Sequence, residues 1–168
     1  MKLIVIRLDQ GKYETVVARD DGVSYRLKGV AHMFAIPHDL AHFVVEKTLR
    51  LQHGFWGNIA DGAVFKSMDH LGGRRKPKAA ERSQNVLKAH VTELNEAEAL
   101  VRMFNDTIEQ GYPESSPVLR ERLRGRLVRP GLQRIFSDAE ISAVYVAYRD
   151  MLARWQKLPV GGTIELRW

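Results

Sequence analysis

Three stretches near the start of the chain alternate along the backbone with a period of two. Lys2 to Gln10 sets Leu3, Val5 and Arg7 against Ile4, Ile6 and Leu8, Tyr13 to Arg19 has the same β-branched character, and Val23 to Leu27 is a third, shorter run. A period of two places successive side chains on opposite faces of a strand, and Gln10-Gly11 and Asp20-Asp21-Gly22 between the runs are turn signals. Together they predict an antiparallel three-stranded meander. At the far end Pro159-Val160-Gly161-Gly162 breaks a helix and Thr163 to Trp168 alternates again. So short a strand needs a neighbour, which predicts a fourth strand beside the meander.

Between the strands the period lengthens to that of a helix. Pro37 suits a first helical turn, Asp39 complements its positive end and Gly54 stops it, so a helix is expected from about Pro37 to Gln52. Leu40, Ala41, Phe43, Val44, Val45 and Leu51 fall on an arc of roughly 160° and His38, Asp39, His42, Glu46 and Arg50 on another of roughly 120°. The first arc is expected in the core and the second in water. Gly54-Phe55-Trp56-Gly57 leads into a short helix over about 58–65. From about Ala80 to Gln110, Leu87, Leu94, Val101 and Ile108 recur every seven residues with Ala97 and Phe104 between them, predicting one long helix with a possible break at Asn95, whose partner Glu98 would complete a capping pair. Ser116-Pro117 opens a further helix carrying Val118, Leu119, Leu123 and Leu127 up to Pro130-Gly131. Ser137-Asp138-Ala139-Glu140 is a capping box ahead of Ile141, Val144, Tyr148, Met151, Leu152 and Trp155. The whole pattern predicts one α+β domain over residues 1–168, a small antiparallel sheet drawn from both termini and packed against about five helices.

The meander, the segment Ile36-Pro37-His38-Asp39-Leu40-Ala41-His42-Phe43-Val44-Val45-Glu46, the Gly54-Phe55-Trp56-Gly57 turn and the ending Leu158 to Trp168 resemble, nearly end to end, an uncharacterised group of bacterial soluble proteins. No function is known for that group, so the resemblance carries over no catalytic residue.

Composition narrows the picture. At 168 residues, with 45% hydrophobic and 27% charged positions, the chain is the size of one globular domain with a real core. No run reaches the eighteen or so apolar residues of a membrane span, and Met1 to Arg7 is too short and too alternating for a secretory signal, so a cytoplasmic location without membrane contact is expected. The absence of cysteine excludes disulfides, thiolate metal sites and cysteine nucleophiles. The net charge of +6 is unevenly spread: Lys66, Arg74, Arg75, Lys76, Lys78 and Arg82 face only Asp69 and Glu81 in their segment. Six arginines (Arg120, Arg122, Arg124, Arg126, Arg129 and Arg134) face only Glu121 in theirs. Two basic segments on a mildly acidic body predict a contact surface for nucleic acid or another polyanion, made by Arg74, Arg75, Lys76, Lys78, Arg120, Arg122, Arg124 and Arg126. No base-reading module is visible and aromatics are not interleaved with the charges.

Candidate chemistry is confined to one place. His38, His42 and Glu46 recur every four residues, which stacks them on one helix face and makes them candidate ligands for a divalent metal. The same spacing is ordinary on the solvated face of any amphipathic helix. Three ligands on one straight helix span about 12 Å between outer Cα atoms, too far for one ion, so a site would need at most two of them plus a residue from elsewhere, with His53, Asp61, His70 and His90 as candidates. His38-Asp39-Leu40-Ala41-His42 has the two-histidine spacing of zinc hydrolases, with Asp39 next to the first histidine where those enzymes carry a glutamate base. No serine sits in a glycine-flanked elbow, and no glycine loop with phosphate-binding spacing follows a strand. Trp56 and Trp155 are expected in the core and Trp168 over the sheet edge. The leading expectation is therefore a non-enzymatic binding or interaction protein with a basic contact surface, the apolar faces of its long helices also allowing a homo-oligomer. The alternative is a metal-assisted hydrolase using His38 and His42.

Overall fold

The computed structural model of the protein describes residues 1–31, 36–111, 121 and 136–168. Its elements run β1 (Lys2–Arg7), β2 (Lys12–Ala18), β3 (Ser24–Val30), α1 (His38–Leu49), α2 (Phe55–Ala60), β4 (Met68–Gly72), α3 (Ala79–Ala89), α4 (Val91–Glu109), α5 (Asp138–Lys157) and β5 (Thr163–Arg167). The strands form one antiparallel sheet in the order β4-β3-β2-β1-β5, so the chain has the α+β architecture that its pattern predicts and the C-terminal strand closes onto β1.

Register fixes which residues enter the core. Leu3 lies opposite Val17 and Leu166, and Val5 opposite Thr15 and Ile164. Leu3, Val5, Thr15, Val17, Tyr25, Leu27 and Ile164 therefore share the buried face, while Glu14, Arg26 and Lys28 point the other way. That outer face carries a charge ladder in which Lys28 meets Asp69 at 3.1 Å. The apolar side packs in two groups. Val5 and Tyr13 meet α1, α4 and α5 through Leu40, Val44, Leu100, Phe104, Val144 and Tyr148. Leu3, Val17, Tyr25, Leu27 and Met68 meet Trp56 and Ile59 of α2. The apolar stripes of α4 and α5 are thus taken up by the chain's own core. Ser137 and Glu140 form the expected capping box at the start of α5. Trp56 and Trp155 are buried, and the Trp168 ring lies 6.2 Å from Phe43.

Three elements depart from the sequence reading. Strand β4 was not anticipated: only Met68 among its five residues is buried, so no apolar alternation announces it, and it exists because Met68 and Asp69 pair with Leu27 and Arg26 at the sheet edge. The long helix breaks at His90, not Asn95; His90 leaves helical geometry (φ −114°, ψ 20°) and its ring turns to Asn58. Helix α2 begins at Phe55, earlier than expected, for a reason that belongs to the site. The helix expected from Pro117, with Arg120, Arg122, Arg124 and Arg126, lies outside the described residues. Among the described residues no helix is long and apolar enough to cross a membrane.

Candidate metal centre

Helix α1 is wedged between the sheet, α4 and α5, and this changes the meaning of its polar arc. His38 and Arg50 are exposed, but Asp39, His42 and Glu46 are buried. The expectation of a solvated face is corrected: with apolar residues on one arc and the sheet and α2 against the other, most of the helix circumference is covered. Burying three polar side chains requires partners for each.

Asp39 finds them on the sheet. Thr15 Oγ1 donates to one carboxylate oxygen at 2.7 Å and Tyr13 Oη to the other at 3.3 Å. Burial pushes the Asp39 pKa up, with the two hydroxyl hydrogen bonds opposing it. Burial and the neighbouring Asp39 charge push Tyr13 beyond its ordinary range. With both oxygens engaged away from the histidines, Asp39 does not occupy the place of a base beside a metal-bound water.

Glu46 is fully buried and accepts three hydrogen bonds. His42 Nδ1 lies 2.7 Å from its Oε1, the Phe55 backbone N–H donates to Oε1 at 2.7 Å and the Trp56 N–H to Oε2 at 3.0 Å. The last two are unpaired amides at the start of α2, and a carboxylate there satisfies them and complements the helix dipole. Glu46 thus starts α2 at Phe55, three residues before the start expected from the local sequence. The residue ahead must be Gly54, because a Cβ at that position would overlap the Glu46 carboxylate.

The outward consequence falls on His42. With Nδ1–H donated to Glu46, its remaining nitrogen Nε2 points towards His38 and towards Glu98 of α4. Nε2 of His42 is 3.1 Å from Nε2 of His38 and 3.4 Å from Glu98 Oε1; His38 Nε2 is 3.5 Å from Glu98 Oε2. Zn–N and Zn–O bonds of about 2.0–2.2 Å make the edge of a coordination tetrahedron about 3.3–3.5 Å long. The three groups stand close to that spacing, with Glu98 meeting His42 through Oε1 and His38 through Oε2, and one ligating atom from each lies within 4.8 Å of the other two. Burial disfavours a charge on His42, yet hydrogen bonds and charges from Glu46 and Glu98 outweigh it and raise its pKa to about 9. The hydrogen bonds from His38 and His42 hold Glu98 well below the usual carboxylate range. A proton and a cation therefore compete for the same lone pair on His42. His38 and Glu98 are about half exposed, at 59% and 47%, so the open side of the cluster faces solvent.

The structure thus brings His38 and His42 together but not Glu46, which holds His42 from behind. Nothing in the local sequence marks Glu98 as the third group; the sequence offers it as the capping partner of Asn95, but α4 runs unbroken through both and Glu98 turns to the histidines instead. Of the other candidates, His53, Asp61 and His90 gather separately, and His70 lies on β4 with its ring against Tyr25 and Nε2 3.1 Å from the Gly73 carbonyl oxygen. Arg74, Arg75, Lys76 and Lys78 are exposed in the loop after β4; Arg75 lies over the Tyr25 ring at 5.7 Å, and Lys78 pairs with Glu81 at 3.6 Å. No protein-family model, curated protein or solved structure matches this chain.

Proposed function

We propose that this protein binds a divalent transition-metal ion through His38, His42 and Glu98, with Glu46 orienting His42. The observation that carries this reading is the mutual spacing of 3.1–3.5 Å among the three groups, drawn from two helices, with the far nitrogen of one histidine fixed by a buried carboxylate. Histidine ligands of metals commonly donate their second N–H in this way, which fixes the tautomer and raises the basicity of the ligating nitrogen. Two histidines and a carboxylate suit zinc, or iron(II) and manganese(II) where further positions stay open. Three protein ligands with a solvent-facing side leave a position for water or a small anionic ligand. Hydrolysis at such an ion needs a base other than Asp39, so metal binding is the reading the geometry supports and hydrolysis is secondary to it.

Elemental analysis and melting curves of the purified chain test this. An ion at one hundred times its Kd adds about 2.7 kcal/mol, or roughly 5–10 °C in a domain of this length. Zinc or manganese should raise the melting temperature by that order, and chelator should reverse it. No bound metal and no shift in either direction would sink the reading.

A second reading concerns the loop after β4. Four exposed cations within five residues support contact with a polyanion such as nucleic acid. Oligonucleotide binding that weakens as salt rises, and falls when Arg74, Arg75 and Lys76 are changed to Glu, is the expected result; no binding at low salt removes it.

A further inference from the structure

A second group of imidazoles lies where the α1–α2 connection meets the α3–α4 break. His53, Asp61 and His90 each bring one ligating atom within 4.8 Å of the other two. The group is built on Asn58, which is wholly buried. Asn58 Nδ2 donates to the His53 carbonyl at 2.6 Å and to the Gly54 carbonyl at 2.7 Å. Both amide hydrogens being given to carbonyls, the orientation of the side chain is settled and its Oδ1 must be the atom facing His90 Nδ1 at 3.2 Å. An amide oxygen only accepts, so His90 carries its proton on Nδ1 and its lone pair on Nε2. Asn58 therefore does for His90 what Glu46 does for His42.

His53 supplies the complementary feature. Its Nδ1 is buried and makes no hydrogen bond, although Asp61 Oδ2 stands 3.3 Å away, and the side chain as a whole is 40% exposed. A buried imidazole nitrogen beside a carboxylate, without a hydrogen bond to satisfy it, is what a cation would complete. The His53 and His90 rings stack at 3.8 Å with 20° between their planes. In a stack the in-plane lone pairs run side by side and do not converge, so loading requires the partly exposed His53 ring to tilt out of the stack until Nδ1, already beside Asp61 Oδ2, meets the His90 Nε2 lone pair.

We propose that His53, Asp61 and His90 form a second divalent-cation site, weaker than the one on α1 and suited to a borderline ion such as zinc or nickel. The ligand set of two imidazoles and one carboxylate matches that of the first cluster, but its orienting group is a neutral amide and its rings must rearrange. Lower affinity follows from both.

Calorimetric titration of the full chain with zinc, and separately with nickel, tests this. The expected result is two equivalents per chain, the weaker lost in the double variant His53→Ala/His90→Ala and the tighter lost in His38→Ala/Glu98→Ala. A stoichiometry and affinities unchanged by His53→Ala/His90→Ala overturn the second site and leave the first standing; a stoichiometry unchanged by His38→Ala/Glu98→Ala overturns the first alone. Long-range proton–nitrogen spectra of imidazole-labelled wild-type protein read the same question without a variant. The second equivalent should move the His90 Nε2 resonance while Nδ1 stays protonated, and a His90 signal that does not respond to zinc or nickel overturns the proposal.

Discussion

The two imidazole clusters are assembled from the same parts and differ in what stands behind them. On α1 a buried carboxylate orients His42, and the nitrogens and oxygens of His38, His42 and Glu98 converge at 3.1–3.5 Å. At the α1–α2 connection a buried amide orients His90, and the two rings stack. A negative charge behind an imidazole strengthens its hold on a proton or a cation, whereas an amide fixes the tautomer without adding charge. With equal counts of histidine, the orienting residue would rank the two proposed sites. Glu46 and Asn58 also share a second duty, since both hold the backbone that starts α2.

That difference can be broken most severely at Glu46. Glu46→Ala leaves His42 and two backbone amides without their acceptor in a fully buried place, and loss of about 3–5 kcal/mol is expected in urea unfolding. A loss below 1 kcal/mol would mean that water or another group replaces the carboxylate. Asn58→Ala should cost less, about 1–3 kcal/mol, and should weaken nickel binding at the His53 cluster while leaving the tighter site intact. The pH dependence of the metal-free protein separates the clusters further. A folded-state pKa for His42 of about 9, above its ordinary 6.5, means stability fully present below pH 6.5 and lost as pH rises through 9. Glu98, held low, contributes above its ordinary 4.5 and loses that contribution as pH falls. Denaturant midpoints should therefore decline between pH 6.5 and 9, and His42→Gln should remove that decline; a variant that keeps it places the titration elsewhere. The smallest effect belongs to His38→Ala. His38 is mostly exposed, so metal-free stability should change by no more than about 0.5 kcal/mol, while zinc affinity should fall at least tenfold, the lower bound seen even for residues that only orient a ligand. Unchanged affinity in calorimetry would remove His38 from the site.

Much of the fold was legible because strands and helices announce themselves through local periodicity. The meander, the closing strand at Thr163 and the capping box at Ser137 all depend on neighbours in the chain. Strand β4 escaped because a single buried Met68 makes no pattern, and the break at His90 escaped because the residue its ring turns to, Asn58, is thirty-two positions away. Part of the α1 cluster was legible in the same sense: the four-residue spacing put His38, His42 and Glu46 on one face, and helix length allowed at most two of them on the same ion. The rest was not. Periodicity assigned Asp39, His42 and Glu46 to water, whereas packing against the sheet and α2 buries all three.

The alternation that makes the strands, the faces of the helices and the placing of His38, His42 and Glu46 on one face follow from the amino-acid order alone, because each rests on a short period within a continuous stretch. That Glu98 joins the two histidines, that Glu46 stands behind one of them and that Asp39 turns to Thr15 and Tyr13 follows from the folded arrangement. Those choices depend on which segments lie side by side after folding, and hydrogen-bond demand in a buried place selects partners by distance in space, to which separation along the chain is indifferent.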